Sequence, residues 1–518
     1  MKKFVYLIIS LISITVVFLL NISEKESNHS FQESLISDNE LFGNIEKDGV
    51  LARVANKIIY LDEFYKRAEY TIRPSYCRNN YNIEKMIILN SLIGEKLLAL
   101  EYENKPSIKE NVHFKRYIQG RREQAMRQVL FLKNGYEKVA LDSAEIVTKY
   151  RVAGRKYNVE YFTVKNEEVS KNVEMLLFDK KERFSNVYTA YTKVENISTK
   201  EIGYFSDELP EIQSAIFADT LSRDQIIGPV IINDSTRLFM KVKGWNDKLV
   251  FDQIGIKQRL NDVKQKLSDE KADKIYSEYI ARVMKGKRLD FNKEIFYKLV
   301  NILGPIYLKK EKAKVDRFLE STLNKPNEIP KIEDFGNGIE QIIDEPLFKL
   351  NENTWTVGDL QEYLEIHPFV FRKKNIGNRE FAGQLQYAII DLIQDKYLTE
   401  EAYNADLDKD FRVEQYENIF RDANIGIHGK YLYLESQDIG GQNWLEIVEN
   451  ILTPYIKELQ QKYSSSIEIN IAEFNKIRLT NIDLFATQRG VPFPIVVPGF
   501  PLITTSHHLD YGKIIVGN

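Results

Sequence analysis

Asn158-Val159-Glu160-Tyr161-Phe162-Thr163-Val164 sends successive side chains to opposite faces, the period of a half-buried strand. Helical spacing follows near residues 167–184, then the extended Glu201-Ile202-Gly203-Tyr204-Phe205 and a short helix over 210–217. Gly228-Pro229-Val230-Ile231-Ile232 and Leu238-Phe239-Met240-Lys241-Val242 close the segment as strands. Strands alternating with helices over about 90 residues make a compact α+β domain, expected at 156–246. Elsewhere the period is helical, so the fold class is mainly α with one inserted α+β domain.

Moving outward, the helical parts echo one another. Ile58-Ile59-Tyr60-Leu61-Asp62-Glu63-Phe64 is an extended segment running into a helix, and Thr354-Trp355-Thr356-Val357-Gly358-Asp359-Leu360 has the same shape. Leu92-Ile93-Gly94-Glu95-Lys96-Leu97-Leu98 matches Leu392-Ile393-Gln394-Asp395-Lys396-Tyr397-Leu398. Their apolar stripes are Leu89, Ile93, Leu97 and Leu100, and Leu385, Ile389, Leu392 and Ile393. Tyr279-Ile280 through Asp290-Phe291-Asn292 resembles Tyr455-Ile456 through Glu468-Ile469-Asn470, each a helix, an extended segment and a second helix. The expected plan is a helical module at 50–155 with a return segment at 247–302, a linker at 303–344, a second helical module at 345–485, and a tail at 486–518.

The N-terminus reads as an export device. Lys2 and Lys3 precede an uncharged run from Phe4 to Leu20, after which Asn21 and Glu24-Lys25-Glu26 restore polarity. Seventeen residues at helical rise span about 26 Å, enough for a membrane with slight local thinning. Residues 1–23 are therefore expected to be a signal peptide or an inner-membrane anchor, and 24–49 a flexible tether. Either form places the body in the periplasm.

Composition removes several function classes. The chain has 518 residues, room for roughly three to four domains. Its charge is 72 − 75 = −3 with no basic stripe, so no nucleic-acid partner is expected. The single Cys77 excludes an internal disulfide, a thiolate zinc site and an iron–sulfur cluster. Six histidines are few for hydrolase or metal chemistry, and His507-His508 reads as an incidental pair, so no metal site is assigned. Neither a P-loop nor a dinucleotide-binding glycine motif occurs, and no cofactor is expected.

Two sets of residues carry a resemblance. One is Val54-Ala55-Asn56-Lys57-Ile58-Ile59-Tyr60-Leu61-Asp62-Glu63-Phe64. The other comprises Ile202-Gly203-Tyr204-Phe205-Ser206, Leu209-Pro210-Glu211-Ile212 with Ala215-Ile216-Phe217, Gly228-Pro229-Val230, and Met240-Lys241-Val242. In these the chain resembles the parvulin-containing periplasmic chaperones of the SurA, PpiD and PrsA type, moderately over 50–300 and weakly over 345–485. The resemblance implies two repeated helical chaperone modules and a parvulin-like prolyl-isomerase domain. It also implies a pocket lined by two histidines and a Cys or Asp. Those positions fall on Tyr161 and Leu238, and near Val194; Ile212 stands where the pocket phenylalanine is usual, and no histidine lies between His113 and His367. The catalytic site is expected to be lost, with Tyr161, Val194, Tyr204, Phe205, Ile212 and Leu238 left as a degenerate pocket or a peptide-binding surface.

In the tail, Pro492, Pro494, Pro498 and Pro501 interrupt Phe493, Ile495, Val496, Val497, Phe500, Leu502 and Ile503. Such a segment is extended, and an apolar strip needs a surface to dock on. It docks on its own body or, through Phe493, Val496 and Phe500, on a partner. Three functions follow: an ATP-independent chaperone for unfolded or partly folded exported proteins, an active prolyl isomerase, or an assembly subunit of an envelope complex.

Overall fold

The computed structural model describes residues 49–79, 81–206, 208–233, 235–308, 338–373, 376–440, 442–480 and 496–516. The expected anchor at 1–23, nearly all of the tether at 24–49, most of the linker at 303–344 and the start of the tail with Phe493 lie outside the described residues. Among the described residues no helix is long and apolar enough to cross a membrane.

Single turns aside, the chain begins with β1 (Val50–Val54), β2 (Lys57–Tyr60), α1 (Leu61–Glu69), α2 (Asn82–Tyr102) and α3 (Val112–Asn134). It continues through α4 (Ser143–Ala153), β3 (Arg155–Lys165), α5 (Glu167–Glu174), α6 (Phe184–Thr192), β4 (Thr199–Gly203), α7 (Pro210–Phe217), β5 (Ile226–Asn233) and β6 (Thr236–Asp247). Next come α8 (Gln253–Val283), β7 (Leu289–Phe291), α9 (Lys293–Tyr307), β8 (Pro346–Leu350), β9 (Asn353–Thr356), α10 (Val357–Leu364) and α11 (Phe381–Asn404). The last are α12 (Phe411–Glu435), α13 (Thr453–Lys462), β10 (Ile467–Asn470), α14 (Ile471–Lys476) and β11 (Lys513–Ile515). The protein is mainly α with three small sheets, ordered β11-β10-β1-β2, β4-β3-β6-β5 and β7-β8-β9. Every pairing is antiparallel except β10 with β11.

Two compact units divide the chain. One holds the described residues up to Lys138 and from Ala272 onward; the other is Val139–Lys271. In the first unit the two stretches expected as modules, 50–155 with 247–302 and 345–485, share sheets, and the parts at 139–155 and 247–271 belong to the second unit. β10, from the second stretch, pairs with β1 in the register Ala52↔Ile469. β7, from the first stretch, pairs with β8 in the register Phe291↔Phe348. Each hairpin thus takes its third strand from the other stretch. The physical reason is edge protection: a two-stranded hairpin is marginal alone and leaves an open row of backbone donors and acceptors. Ile467 and Ile469 complete the core of Leu51, Val54 and Ile59, all five at 0% exposure. Asn292 and Asn470 cap the helices that follow, accepting from the backbone N–H of Ile295 and Glu473.

Helix α2 is the axis of this unit. Its spacing suggests one apolar stripe, yet residues from Ile87 to Ala99 are buried on every side. The reason is that α12 crosses it through glycines, where a Cβ on Gly429 would sit 2.6 Å from the Tyr102 ring. β1, α1, α13 and the tail cover the rest through Leu51, Phe64, Ile456, Phe500 and Ile503.

The second unit is wider than the expected 156–246. Val152 and Ala153 of α4, with Val263 and Leu267 of α8, join the core on one face of the β4-β3-β6-β5 sheet, with α7 beside them. That face needs more cover than α7 alone supplies. The opposite face packs Phe162, Val164 and Phe239 against α5 and α6 through Val173, Phe184 and Tyr188.

Replacing Ile469 with Ala will destabilise the first unit by about 2–4 kcal/mol in urea unfolding. Hydrogen exchange will then accelerate in β1 as well as in β10, because the two strands are one ladder. Acceleration confined to residues 467–476 would contradict the strand exchange.

Candidate functional site

On the strand pair β3–β6, Tyr161 lies opposite Met240 and Thr163 opposite Leu238, so all four share a face. Leu238 is 5% exposed, Tyr161 and Ile212 are half-buried against the same core, and Thr163 is exposed. Cover therefore thins from Leu238 to Tyr161 and Thr163, and Tyr161 and Ile212 are partly open apolar members of this core.

Of the other three expected residues, Tyr204 belongs to this core and two lie outside it. Tyr204 is buried, with its ring edge-on to Phe205 and Phe217 at 5.0 and 5.4 Å. Burial pushes its hydroxyl well above the usual phenol range, and the nearby Glu270 and Glu145 add to that shift. Tyr204 thus faces the side of α4 and α8. Phe205 and Val194 are each 49% exposed and outside that core, Val194 because Lys193 takes a left-handed turn (φ 58°) that ends α6. Of the six expected residues, Tyr161, Tyr204, Ile212 and Leu238 thus belong to one apolar core, and Val194 and Phe205 do not. No histidine lies in Val139–Lys271, so this unit supplies no imidazole of its own.

In the first unit the tail docks on its own body. Phe500, Leu502 and Ile503 are 5%, 5% and 3% exposed within the core that contains α2. Val496 is half-exposed, and its carbonyl accepts from the Tyr416 hydroxyl at 3.4 Å. Phe500, expected as a partner contact, is thus already covered. Gly94 makes room for the tail: a Cβ there would lie 2.9 Å from Ile503 and 3.1 Å from Ile456.

Main-chain atoms of the tail are gripped by side chains that the sequence did not mark. Arg67 Nη2 donates to the Gly499 carbonyl at 2.6 Å. Asn90 Nδ2 donates to the carbonyls of Ser506 and His508, both at 2.8 Å. The N–H of Thr505 donates to Thr453 Oγ1 at 3.1 Å. Asn90 Oδ1 in turn accepts from Gln460 Nε2 at 3.2 Å and from the Tyr511 hydroxyl. An amide in the middle of the apolar run Ile87-Ile88-Leu89-Asn90-Ser91-Leu92 was the available signal.

Beneath the tail lies a buried ionic cluster. Arg67, at 0% exposure, forks onto both Glu95 oxygens at 2.8 Å. Lys96 lies 2.9 Å from Glu63 and 3.2 Å from Asp422, and Lys57 donates to Asp422 at 2.8 Å and Glu103 at 2.9 Å. Burial opposes the charge on Lys96, yet Glu63 and Asp422 beside it hold its pKa above the ordinary lysine value. Burial pushes Glu63 upward, against the pull of Lys96 and Arg67. The cluster ties α1, α2, β2 and α12 together and holds no nucleophile or proton relay open to solvent. Among the described residues no group of three or more His, Cys, Asp or Glu could hold a metal ion.

No protein-family model matches the chain. No curated protein matches it either. Among solved structures it is similar to the crystal structure of foldase protein PrsA from Streptococcus pneumoniae, at 12% identity and a TM-score of 0.20, over 43% of this chain and 88% of that one. A score of that size carries no argument for a shared fold.

Arg67→Leu will cost about 3–5 kcal/mol of stability, because Glu95 is left buried without its partner. Adding Glu95→Leu will recover much of that loss, so the double-mutant cycle in urea will show coupling of about 2 kcal/mol or more. Simple additivity of the two substitutions would contradict this account of the cluster.

Proposed function

We propose that the chain is an exported, ATP-independent chaperone that holds unfolded or partly folded exported polypeptides. In this reading a parvulin-like unit has kept its frame and lost its imidazole chemistry. The observation that carries the reading is the run from Leu249 to Ile256. Within it Leu249, Phe251, Ile254 and Ile256 are 67%, 84%, 69% and 41% exposed. Large apolar side chains concentrated in water mark an interaction surface, and unfolded chains are the partners that offer aliphatic and aromatic groups in no fixed order. Such binding needs neither a cofactor nor a nucleotide.

The second unit supports the parvulin-like part. Its strands and helices follow the order expected from the resemblance, and Tyr161 and Leu238, at the two histidine positions, share one face of β3–β6. X-Pro rotation faces a barrier of about 18–20 kcal/mol. Tyr161 and Leu238 put no imidazole at either position. The partly open Tyr161 and Ile212 are then an apolar contact for extended peptide. Export by residues 1–23 puts the protein in the periplasm, at the inner membrane if that segment is retained.

The test is light scattering from a urea-unfolded outer-membrane β-barrel protein diluted into the purified chain. Near-stoichiometric chain will suppress aggregation, and the pair Leu249→Ser and Phe251→Ser will weaken suppression several-fold while leaving the melting temperature in place, since both side chains are exposed. A proline-containing test peptide will isomerise at its uncatalysed rate. Failure to suppress aggregation of several unrelated clients would overturn the chaperone reading in favour of an assembly subunit with one stoichiometric partner. Acceleration of the test peptide that disappears in Tyr161→Ala would restore the isomerase.

A further inference from the structure

We propose that the groove holding residues 499–508 is a client-binding site occupied in cis by a stretch of the chain's own tail that imitates an unfolded polypeptide. The proposal rests on the chaperone reading and names a second client site, in addition to the exposed run at 249–256, with the chemistry of its ligand. That ligand is an uncharged, extended polypeptide segment with neighbouring bulky apolar residues.

The first support is how the occupant is held. The groove takes the tail mainly by its main chain: Arg67 to the Gly499 carbonyl, Asn90 to the carbonyls of Ser506 and His508, and Thr453 to the N–H of Thr505. Side chains that grip carbonyls and an amide read an extended backbone and ignore which residues it carries. Pro498, Phe500, Pro501, Leu502, Ile503 and Thr504 are all buried, and Gly94 supplies the notch for Ile503. This combination suits a client of no fixed sequence, with main-chain bonds for affinity and apolar seats for a weak preference.

The second support is what the occupant lacks. Among the described residues, no main-chain ladder joins residues 496–512 to another strand; the ladder resumes only at Lys513–Ile515, pairing three residues with β10. Val496 to Leu509 carries no Asp, Glu, Lys or Arg. A segment held by side chains and one short parallel pairing can open locally without unfolding helices, and it opens at a cost below the global stability. An unfolded chain of the same chemistry then competes for the same donors, and its apparent affinity is set by how often the tail leaves.

Thr453 and Thr504 provide a lock, their hydroxyl oxygens lying 3.4 Å apart. The full chain with Thr453→Cys and Thr504→Cys is compared oxidised and after reduction with dithiothreitol. Cys77 is buried and burial pushes its thiol up to about 12, so it stays out of the exchange. The oxidised protein will lose at least tenfold in apparent affinity for an unfolded β-barrel client, and reduction will restore it. Equal protection of the client by the two forms would overturn the proposal while leaving the chaperone reading intact. A chain ended after Pro498 gives an arm that needs no client. A labelled peptide of residues 497–516 will bind it in fluorescence anisotropy, Asn90→Ala will weaken that binding about tenfold, and the full chain will not take up the peptide. Should the reduced protein protect no client, this arm still decides the groove: binding to the shortened chain with exclusion from the full chain upholds it, and uptake by neither overturns it. If the shortened chain does not fold, the lock alone decides.

Discussion

A guanidinium group with no exposure to water governs the larger unit. Arg67 projects from α1 into the side of α2, where Glu95 takes both ends of its fork and the Gly499 carbonyl takes a remaining donor. An ion buried this deeply costs several kcal/mol unless every partner is in place. The fork therefore fixes the first helix against the central helix, while the tail adds one neutral carbonyl, whose place water can take when the tail leaves. Lys96 extends the same constraint to α12 through Asp422, and Asp422 passes it to β2 through Lys57. The cluster sets position; the apolar core around Ile88, Leu92 and Leu97 supplies most of the burial.

Strand exchange gives this unit a second tie. Because β10 closes the N-terminal hairpin and β7 closes the later one, neither stretch of sequence keeps its sheet without the other. A unit stitched in this way can let one peripheral segment go and remain folded, which a groove with a removable occupant requires. The tail from 499 to 508 is such a segment. Its neighbours across the groove lie in helices α1, α2 and α13, whose own backbone hydrogen bonds do not depend on it.

Much of the local structure was legible in the residues. The period-two run at 158–164 is β3, and Asp359 forms the capping box with Thr356 at the start of α10. Leu385, Ile389, Leu392 and Ile393 are all buried, as their spacing implied. Pro498 and Pro501 lie in a stretch, residues 496–512, that forms no helix or strand, but β11 follows it, beyond the reach of a composition argument. What could not be read is long-range pairing: Ala52 against Ile469, and Arg67 against Glu95 and Gly499, are encounters that no local period encodes. Of the expected site, the absence of histidine from residues 139–271 was plain from the residue list, whereas Val194 and Phe205 lie outside the core of Tyr161 and Leu238 because a left-handed turn and an exposed loop carry them away. Glu95 and Lys96 fall outside the apolar stripe of Leu89, Ile93, Leu97 and Leu100, and the presence of α12 and α1 around α2 makes them buried ions.

The central claim is that the tail and the client use one groove. Hydrogen–deuterium exchange of the full chain, measured with and without a saturating unfolded client, tests it most directly. The account predicts that residues 499–516 lose protection when the client binds, while α12 and the β3–β6 pair keep theirs. Unchanged protection of the tail in a chain carrying bound client would contradict it.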